Sequence, residues 1–382
     1  MPSFDLIVLG TGGVGSAALY LAAKRGLRCL GVDAFPPAHA FGSSHGETRI
    51  IRQVYYEHPD YVPLALAAYE HWHRLEQEAG QQVFVPTGLL QVGPGEGEVL
   101  RGVRESARRY SLAVEELSSE EVARRFPGFG VPEGMAGIYE ATAGYLHVER
   151  AVAIQLTLAQ CHGAVLETGQ RVVGWNASSH EGGSVEIETA TGQRFTAARL
   201  IVAAGAWAAQ LLPALSRSLT VLRKPQFWFP VVEPNLRPAE SPAFLYEMPE
   251  GVFYGFPPIG GRMKIAQHSG GNPVPDPLTV ERSILPADLP LLERFIAGQL
   301  PGLAPAPVDH SVCMYTMSPD AHFIVDRHPQ FPQVAFAAGL SGHGFKFTGA
   351  LGQALVELAV EGATQLPMQF LSAQRLNGQS QP

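Results

Sequence analysis

A short apolar run, Leu6-Ile7-Val8-Leu9, leads directly into Gly10-Thr11-Gly12-Gly13-Val14-Gly15, and no other stretch restricts the fold as much. Such a run reads as a strand buried on both faces. Ser16 to Arg25 follows as a helix packed through Ala17, Ala18, Leu21 and Ala22, and Gly26 ends it as a left-handed cap. Cys29-Leu30-Gly31-Val32-Asp33 is a second strand that ends in an acid. Together these pieces make a βαβ unit, and hence a parallel sheet. Gly10, Gly12 and Gly15 have the spacing that brings backbone N–H groups to a pyrophosphate at a helix N-terminus, with Asp33 placed for ribose hydroxyls. The motif indicates a dinucleotide and does not separate FAD from NAD.

No charge occurs from Leu6 to Ala23, a length that raises the question of a membrane span. The glycines interrupt that stretch, and Met1 to Asp5 lacks the basic start of a signal peptide. A buried strand, turn and helix explain it better, and a soluble cytoplasmic protein is expected. With 27 basic and 35 acidic residues the net charge is −8, which argues against nucleic acid or an anionic membrane as partner. Cys29, Cys161 and Cys313 are too few for a disulfide framework and suit a reducing compartment.

A chain of 382 residues exceeds one ordinary core, so two interlocked domains are expected. Helices are read over Tyr61 to Ala79, Arg101 to Tyr110, Ser119 to Phe126, Val148 to His162 and Gly349 to Glu361. Buried strands recur at Leu200 to Ala204 and Val334 to Ala338, while Val83 to Gly93 and Val185 to Thr189 alternate. From Arg223 to Pro258 prolines and aromatics accumulate, as in an antiparallel sheet, and the tail from Gln374 is expected to fray. The order predicts an α/β (α+β) two-domain protein. A discontinuous Rossmann-like nucleotide domain covers 1–85, 146–218 and 319–382. A mixed or antiparallel substrate domain, 86–145 and 219–318, is inserted in it.

Three stretches are candidates for chemistry. Gly42 to Arg52 is small, polar and basic beyond Asp33, where such folds place ligands; a solvated loop explains it equally well on composition. On a helical turn Arg49 and Arg52 would share a face. If Lys264 to His268 is a strand, Lys264, Ala266 and His268 point one way, into a cavity or into water. Gly342-His343-Gly344 follows a buried strand and suggests close backbone approach to a ligand. Taken alone, Cys313 is best read as a small buried residue. No spacing resembles a zinc site, so no metal is expected.

The glycine turn with Val32-Asp33-Ala34, Gly42 to Arg52, Tyr61-Val62-Pro63-Leu64, Tyr254-Gly255-Phe256 and Gly339 to Lys346 together resemble the monomeric sarcosine oxidase and N-methyltryptophan oxidase family. The likeness runs in order from about Phe4 to Gly362. It implies a flavin amine oxidase with a D-amino-acid-oxidase-like fold, and FAD rather than NAD. In that family a cysteine carries the flavin by an 8α thioether, and Cys313 falls on that position. The resemblance also puts His45 and Arg49 beside the flavin, the Val172 backbone at the adenine side, and Gly342 and His343 at the cofactor. Arg52 and Lys346 match the pair that grips the substrate carboxylate. Tyr254 and His268 match the amine end, and Lys264 the flavin face where oxygen reacts.

The implied reaction oxidises the secondary amine of an N-methyl amino acid to an imine that hydrolyses, while O2 becomes H2O2. Sarcosine is placed slightly ahead of N-methyltryptophan, with L-pipecolate or L-proline as the alternative. The segment Phe244 to Met248 should border the substrate side chain, and Phe227, Trp228 and Phe253 would shrink the cavity or stack on an indole. A monomer acting on a small amino acid and O2 is expected. A nicotinamide-dependent dehydrogenase and a non-catalytic FAD-binding protein are the competing classes.

Overall fold

The computed structural model describes residues 3–178, 183–233, 236 and 241–378. Phe4–Leu9 lies between Cys29–Val32 and Arg194–Val202 and runs parallel to both. Leu9 is in register with Val32 on one side and Val202 on the other, so the three strands end level, where the glycine turn begins. Val165–Glu167 extends this sheet beyond Cys29–Val32, and Val185–Thr189 and Val172–Ala177 extend it beyond Arg194–Val202. Val334–Ala338 also pairs with Arg194–Val202, in parallel, and carries Ile324–Arg327 on its other side. Helix Gly13–Lys24 packs against helices Val148–Cys161 and Thr348–Val360 on one face of the sheet.

Glycine is needed here for closeness. Gly10 has φ +81°, and a Cβ on Gly15 would lie 1.7 Å from the Gly10 carbonyl oxygen. The helix therefore starts hard against the turn, with its first N–H groups facing the level strand ends.

A second, mixed sheet is ordered Asn272–Pro273, Thr220–Pro230, Arg262–Gln267, Gly251–Gly255, Ala243–Met248, Leu89–Pro94, Met135–Glu140, Glu115–Leu117. Asp309–Met317 pairs antiparallel with Thr220–Pro230 from Met317 opposite Thr220 to Asp309 opposite Trp228. Leu89–Pro94 and Ala243–Met248 are parallel, so strands distant in sequence close the sheet. A small sheet of Thr48–Ile51, Gly144–His147 and Phe84–Val85 lies apart from both.

Two local expectations are corrected, and one helix is added. Thr48–Ile51 is a strand paired with Gly144–His147, so Arg49 and Arg52 do not share a helical turn. Helix Pro290–Gln299 was not foreseen; it covers the mixed sheet, with Phe295 stacked on Phe253 at 4.6 Å. Of the tail expected to fray, Ala373–Gly378 forms a short 3-10 helix, with Arg375 paired to Asp320 at 2.8 Å; positions 379–382 lie outside the described residues. Among the described residues no helix is long and apolar enough to cross a membrane, and no cluster fit to hold a metal ion occurs.

Candidate functional site

A cavity of about 320 Å³ opens at the level strand ends, lined by Gly10, Gly12, Asp33, Val172, Cys313 and Gly342 among others. Asp33 does two jobs there. One carboxylate oxygen accepts the Thr11 N–H at 2.6 Å, the other accepts the Phe35 N–H at 3.0 Å, and the group still borders the cavity. The Gly13 N–H donates to Ser44 Oγ at 3.0 Å, which joins the glycine turn to the Gly42–Arg52 stretch. Gly15 is not at the cavity wall; its role is the packing described above.

Thr316 and Thr348 both line this cavity, and their buried hydroxyl oxygens have no partner in the protein. A buried polar atom without a partner is costly. A long groove with a glycine turn, an acid and two unpartnered hydroxyls fits a polar dinucleotide such as FAD.

Cys313 sits mid-strand in Asp309–Met317, 2% exposed, with Sγ 3.4 Å from Arg49 Nη2. The same nitrogen donates to the Ser43 carbonyl at 3.0 Å, and Nη1 donates to the Thr48 carbonyl at 2.8 Å. Residues 264 positions apart are thus clamped across the groove. His45 is buried nearby, Nδ1 3.2 Å from Ser311 Oγ and Nε2 without a partner. Burial, and next the Arg49 charge, push its pKa down to about 3, so the ring is neutral.

A smaller cavity, about 60 Å³, adjoins the first and shares Arg49, Tyr315, Gly342 and Phe345 with it. Arg52 and Lys346 mark one side. The Arg52 guanidinium lies 4.5 Å from the ring centres of both Tyr55 and Tyr56 and is ion-paired with Glu57. Lys346 donates to the His343 carbonyl at 2.8 Å and to the Tyr55 hydroxyl at 3.3 Å. Burial, and next Arg52, lower its pKa to about 7. Tyr254, His268 and Tyr315 form another part of the wall, with His268 Nδ1 3.3 Å from the Tyr315 hydroxyl. Burial holds His268 at a pKa of about 3, so its ring is neutral.

The strand Arg262–Gln267 exists as read, but its residues separate in function. His268, just past its end, reaches the small cavity, whereas Lys264 lines neither cavity. The Lys264 ammonium donates to the carbonyls of Gly46 and Thr48 and sits 4.8 Å from the Phe256 ring centre. Burial, and next Arg49, push its pKa well below the usual lysine range.

Of Phe244 to Met248 only Leu245 borders the cavity, because alternate side chains turn into the core. Phe227 and Phe253 belong to that core, and the Trp228 indole donates to Glu47 at 2.8 Å. None of the three shapes the cavity. Tyr56 and Glu57 do, and the sequence reading passed over them. Their signal was position alone, an aromatic and an acid within five residues of Arg52.

Comparison with known proteins gives the family. The FAD dependent oxidoreductase family matches residues 5–358. The chain is 40% identical to a monomeric sarcosine oxidase of Arthrobacter sp., covering 97% of this chain and 96% of that protein. It is 36% identical to an N-methyl-L-tryptophan oxidase of Yersinia pestis, covering 97% and 99%. The solved structure of NikD, an unusual amino acid oxidase, superposes with a TM-score of 0.84 at 23% identity over 97% of this chain and 98% of that one. Glycine oxidase from Geobacillus kaustophilus gives 0.80 at 20%, over 97% and 98%. These two likenesses concern fold alone. The chain belongs to the FAD dependent oxidoreductase family, and within it to the group of monomeric sarcosine oxidases and N-methyltryptophan oxidases.

Proposed function

We propose that the protein is an FAD-dependent oxidase of small N-methyl amino acids, with the flavin carried on Cys313 through an 8α-S-cysteinyl bond. One observation carries the reading: a dinucleotide groove and a small cavity share a wall, and that small cavity brings Arg52 and Lys346 together with the uncharged His268 and Tyr254. Arg52 and Lys346 bind the substrate carboxylate, which takes the place of Glu57 as partner of the guanidinium. His268 and Tyr254, uncharged, favour the neutral amine needed for oxidation. Bound FAD supplies a two-electron acceptor for the amine's C–H bond and returns the electrons to O2 as H2O2.

Arg49 Nη2 stands 3.4 Å from Cys313 Sγ, and neutral His45 is held by Ser311, two residues along the same strand; both assist attachment of the flavin in this reading. Val172 and Gly342, which line the groove, complete the cofactor contacts in this reading; His343, expected at the cofactor, borders the small cavity instead, held by Tyr55 at 2.7 Å. We also assign 1–85, 146–218 and 319–382 to a cofactor domain and 86–145 and 219–318 to a substrate domain. Division of the strands between the two large sheets supports that assignment. A cytoplasmic monomer completes the proposal; all three cysteines are unpaired.

Cavity size favours sarcosine over an indole-bearing substrate. Anaerobic mixing of the oxidised holoenzyme with sarcosine, N-methylalanine, N-methyltryptophan, pipecolate and proline tests this. Sarcosine and N-methylalanine are expected to bleach the flavin absorbance fastest. Bleaching by none of the five would overturn the function, and fastest bleaching by N-methyltryptophan would overturn the size argument.

Lys264 is assigned to the oxygen side. Its ammonium is held by the carbonyls of Gly46 and Thr48, next along the chain to Arg49 of the shared wall, and a cation there favours placing negative charge on O2. Lys264→Met is therefore expected to slow reoxidation of the reduced enzyme far more than its reduction. Equal slowing in stopped flow would remove Lys264 from that role.

A further inference from the structure

Glu140 is the last residue of strand Met135–Glu140 and is 0% exposed. Its hydrogen-bond partners are not cations. The carboxylate accepts the Gln53 N–H at 2.6 Å, the Val54 N–H at 3.3 Å and the Thr142 hydroxyl at 3.2 Å. Gln53 and Val54 immediately follow Arg52, and the segment continues into Tyr56 and Glu57, which also border the substrate cavity. Helix Glu98–Tyr110 holds the outer part of this segment. Ser106 donates to the Tyr55 carbonyl, and a Cβ on Gly102 would fall 2.3 Å from the Tyr56 carbonyl oxygen. The root of the segment, next to Arg52, is held by Glu140.

We propose that Glu140 is a positioning residue for substrate capture: as a carboxylate it fixes the Gln53–Val54 turn and so aims Arg52 at the substrate carboxylate. The inference rests on the carboxylate-binding reading of the small cavity. A protonated acid accepts backbone N–H bonds more weakly than a carboxylate does, and it no longer attracts the Arg52 guanidinium. Burial raises the Glu140 pKa to about 7, against the opposing pull of the two N–H groups, Arg52 and Thr142. The change of charge thus falls within the neutral range.

The groups that face Glu140 do not duplicate it. Arg52 stays protonated throughout that range. Glu57 is the ion-pair partner of Arg52 and shares no hydrogen bond with Glu140 among the described residues. Tyr69, on helix Val62–Ala79, has its pKa raised well above the usual tyrosine value by burial and then by Glu140 itself. Tyr55 and Tyr56 are likewise raised by burial and next by Glu57. Lys346, in the same cavity wall as Arg52, also changes charge near pH 7, but in the opposite sense. Its proton is lost as pH rises, so it weakens carboxylate binding on the alkaline side, whereas protonation of Glu140 weakens it on the acid side.

The test uses holoenzyme and methoxyacetate, a substrate-shaped carboxylate with an ether oxygen in place of the amine. Its dissociation constant is read from the flavin absorbance between pH 5.5 and 9. The wild type is expected to bind best near neutrality and to lose affinity on both sides. Glu140→Gln is expected to bind about tenfold more weakly at pH 8 and to lose the acid limb while keeping the alkaline one. With sarcosine, its loss should fall mainly on KM, with kcat changed by less than about threefold. Glu140→Asp keeps the charge and should retain the acid limb with a displaced midpoint.

An acid limb unchanged in Glu140→Gln, or equal losses in kcat and in kcat/KM, would overturn the proposal. If the glutamine variant does not fold, an unmoved acid midpoint in Glu140→Asp has the same force. Failure of the wild type to bind methoxyacetate at any pH would instead sink the carboxylate reading, and this inference with it.

Discussion

Arg52→Ala is expected to lower kcat/KM for sarcosine by roughly two to three orders of magnitude. Truncating one partner of a buried charge–charge contact to a ligand costs about 2–5 kcal/mol of binding, much of it the penalty of leaving the other charge unpaired. Here Glu57 also stands at the edge of the substrate cavity as the guanidinium's partner. In the variant it would repel the incoming carboxylate as well as lose its own partner. The guanidinium also fills the space between Tyr55 and Tyr56, so truncation loosens two aromatic contacts. Arg52→Lys is a useful companion: it restores a charge without the planar fork and should recover only part of the loss. Steady-state kinetics with sarcosine check both, and an unchanged kcat/KM in the alanine variant would mean that the carboxylate binds elsewhere.

Cys313→Ser should abolish covalent attachment altogether. Acid denaturation of the wild type is expected to leave a yellow protein pellet, and its intact mass should include one FAD. The serine variant should give a colourless pellet and a free flavin, since an alcohol does not replace a thiolate in forming this bond. The small change of volume at a 2% exposed position should leave the fold intact. Retained colour in the serine variant would place the linkage on another side chain, and a colourless wild type would exclude any covalent bond.

The opening βαβ unit was legible because all its determinants are local: a strand, a turn that excludes side chains and an acid at the next strand end. Even there the roles divided in a way spacing does not reveal. Gly10 and Gly12 border the groove, whereas Gly15 serves helix packing. Long-range pairing hid the rest. Cys313 lies 264 positions from Arg49, and Glu140 lies 87 from Gln53; only the folded sheets bring each pair together. In sequence Glu140 is one acid among 35 acidic residues and looks like a solvated one. The aromatic trio Phe227, Trp228 and Phe253 misled for the converse reason: bulk and polarity suggest a binding wall, but strand alternation decides which side faces the ligand. Arg49 and Arg52 misled through periodicity, since a three-residue spacing carries meaning only once the segment's period is known.

The wall held in common by the two cavities limits how such an enzyme can acquire new substrates. Arg49, Tyr315, Gly342 and Phe345 answer to an invariant tenant and a variable guest at once, so mutations there are censored by the former. Diversification is left to the remaining perimeter, above all Leu245 and Tyr56, which border the guest's chamber alone.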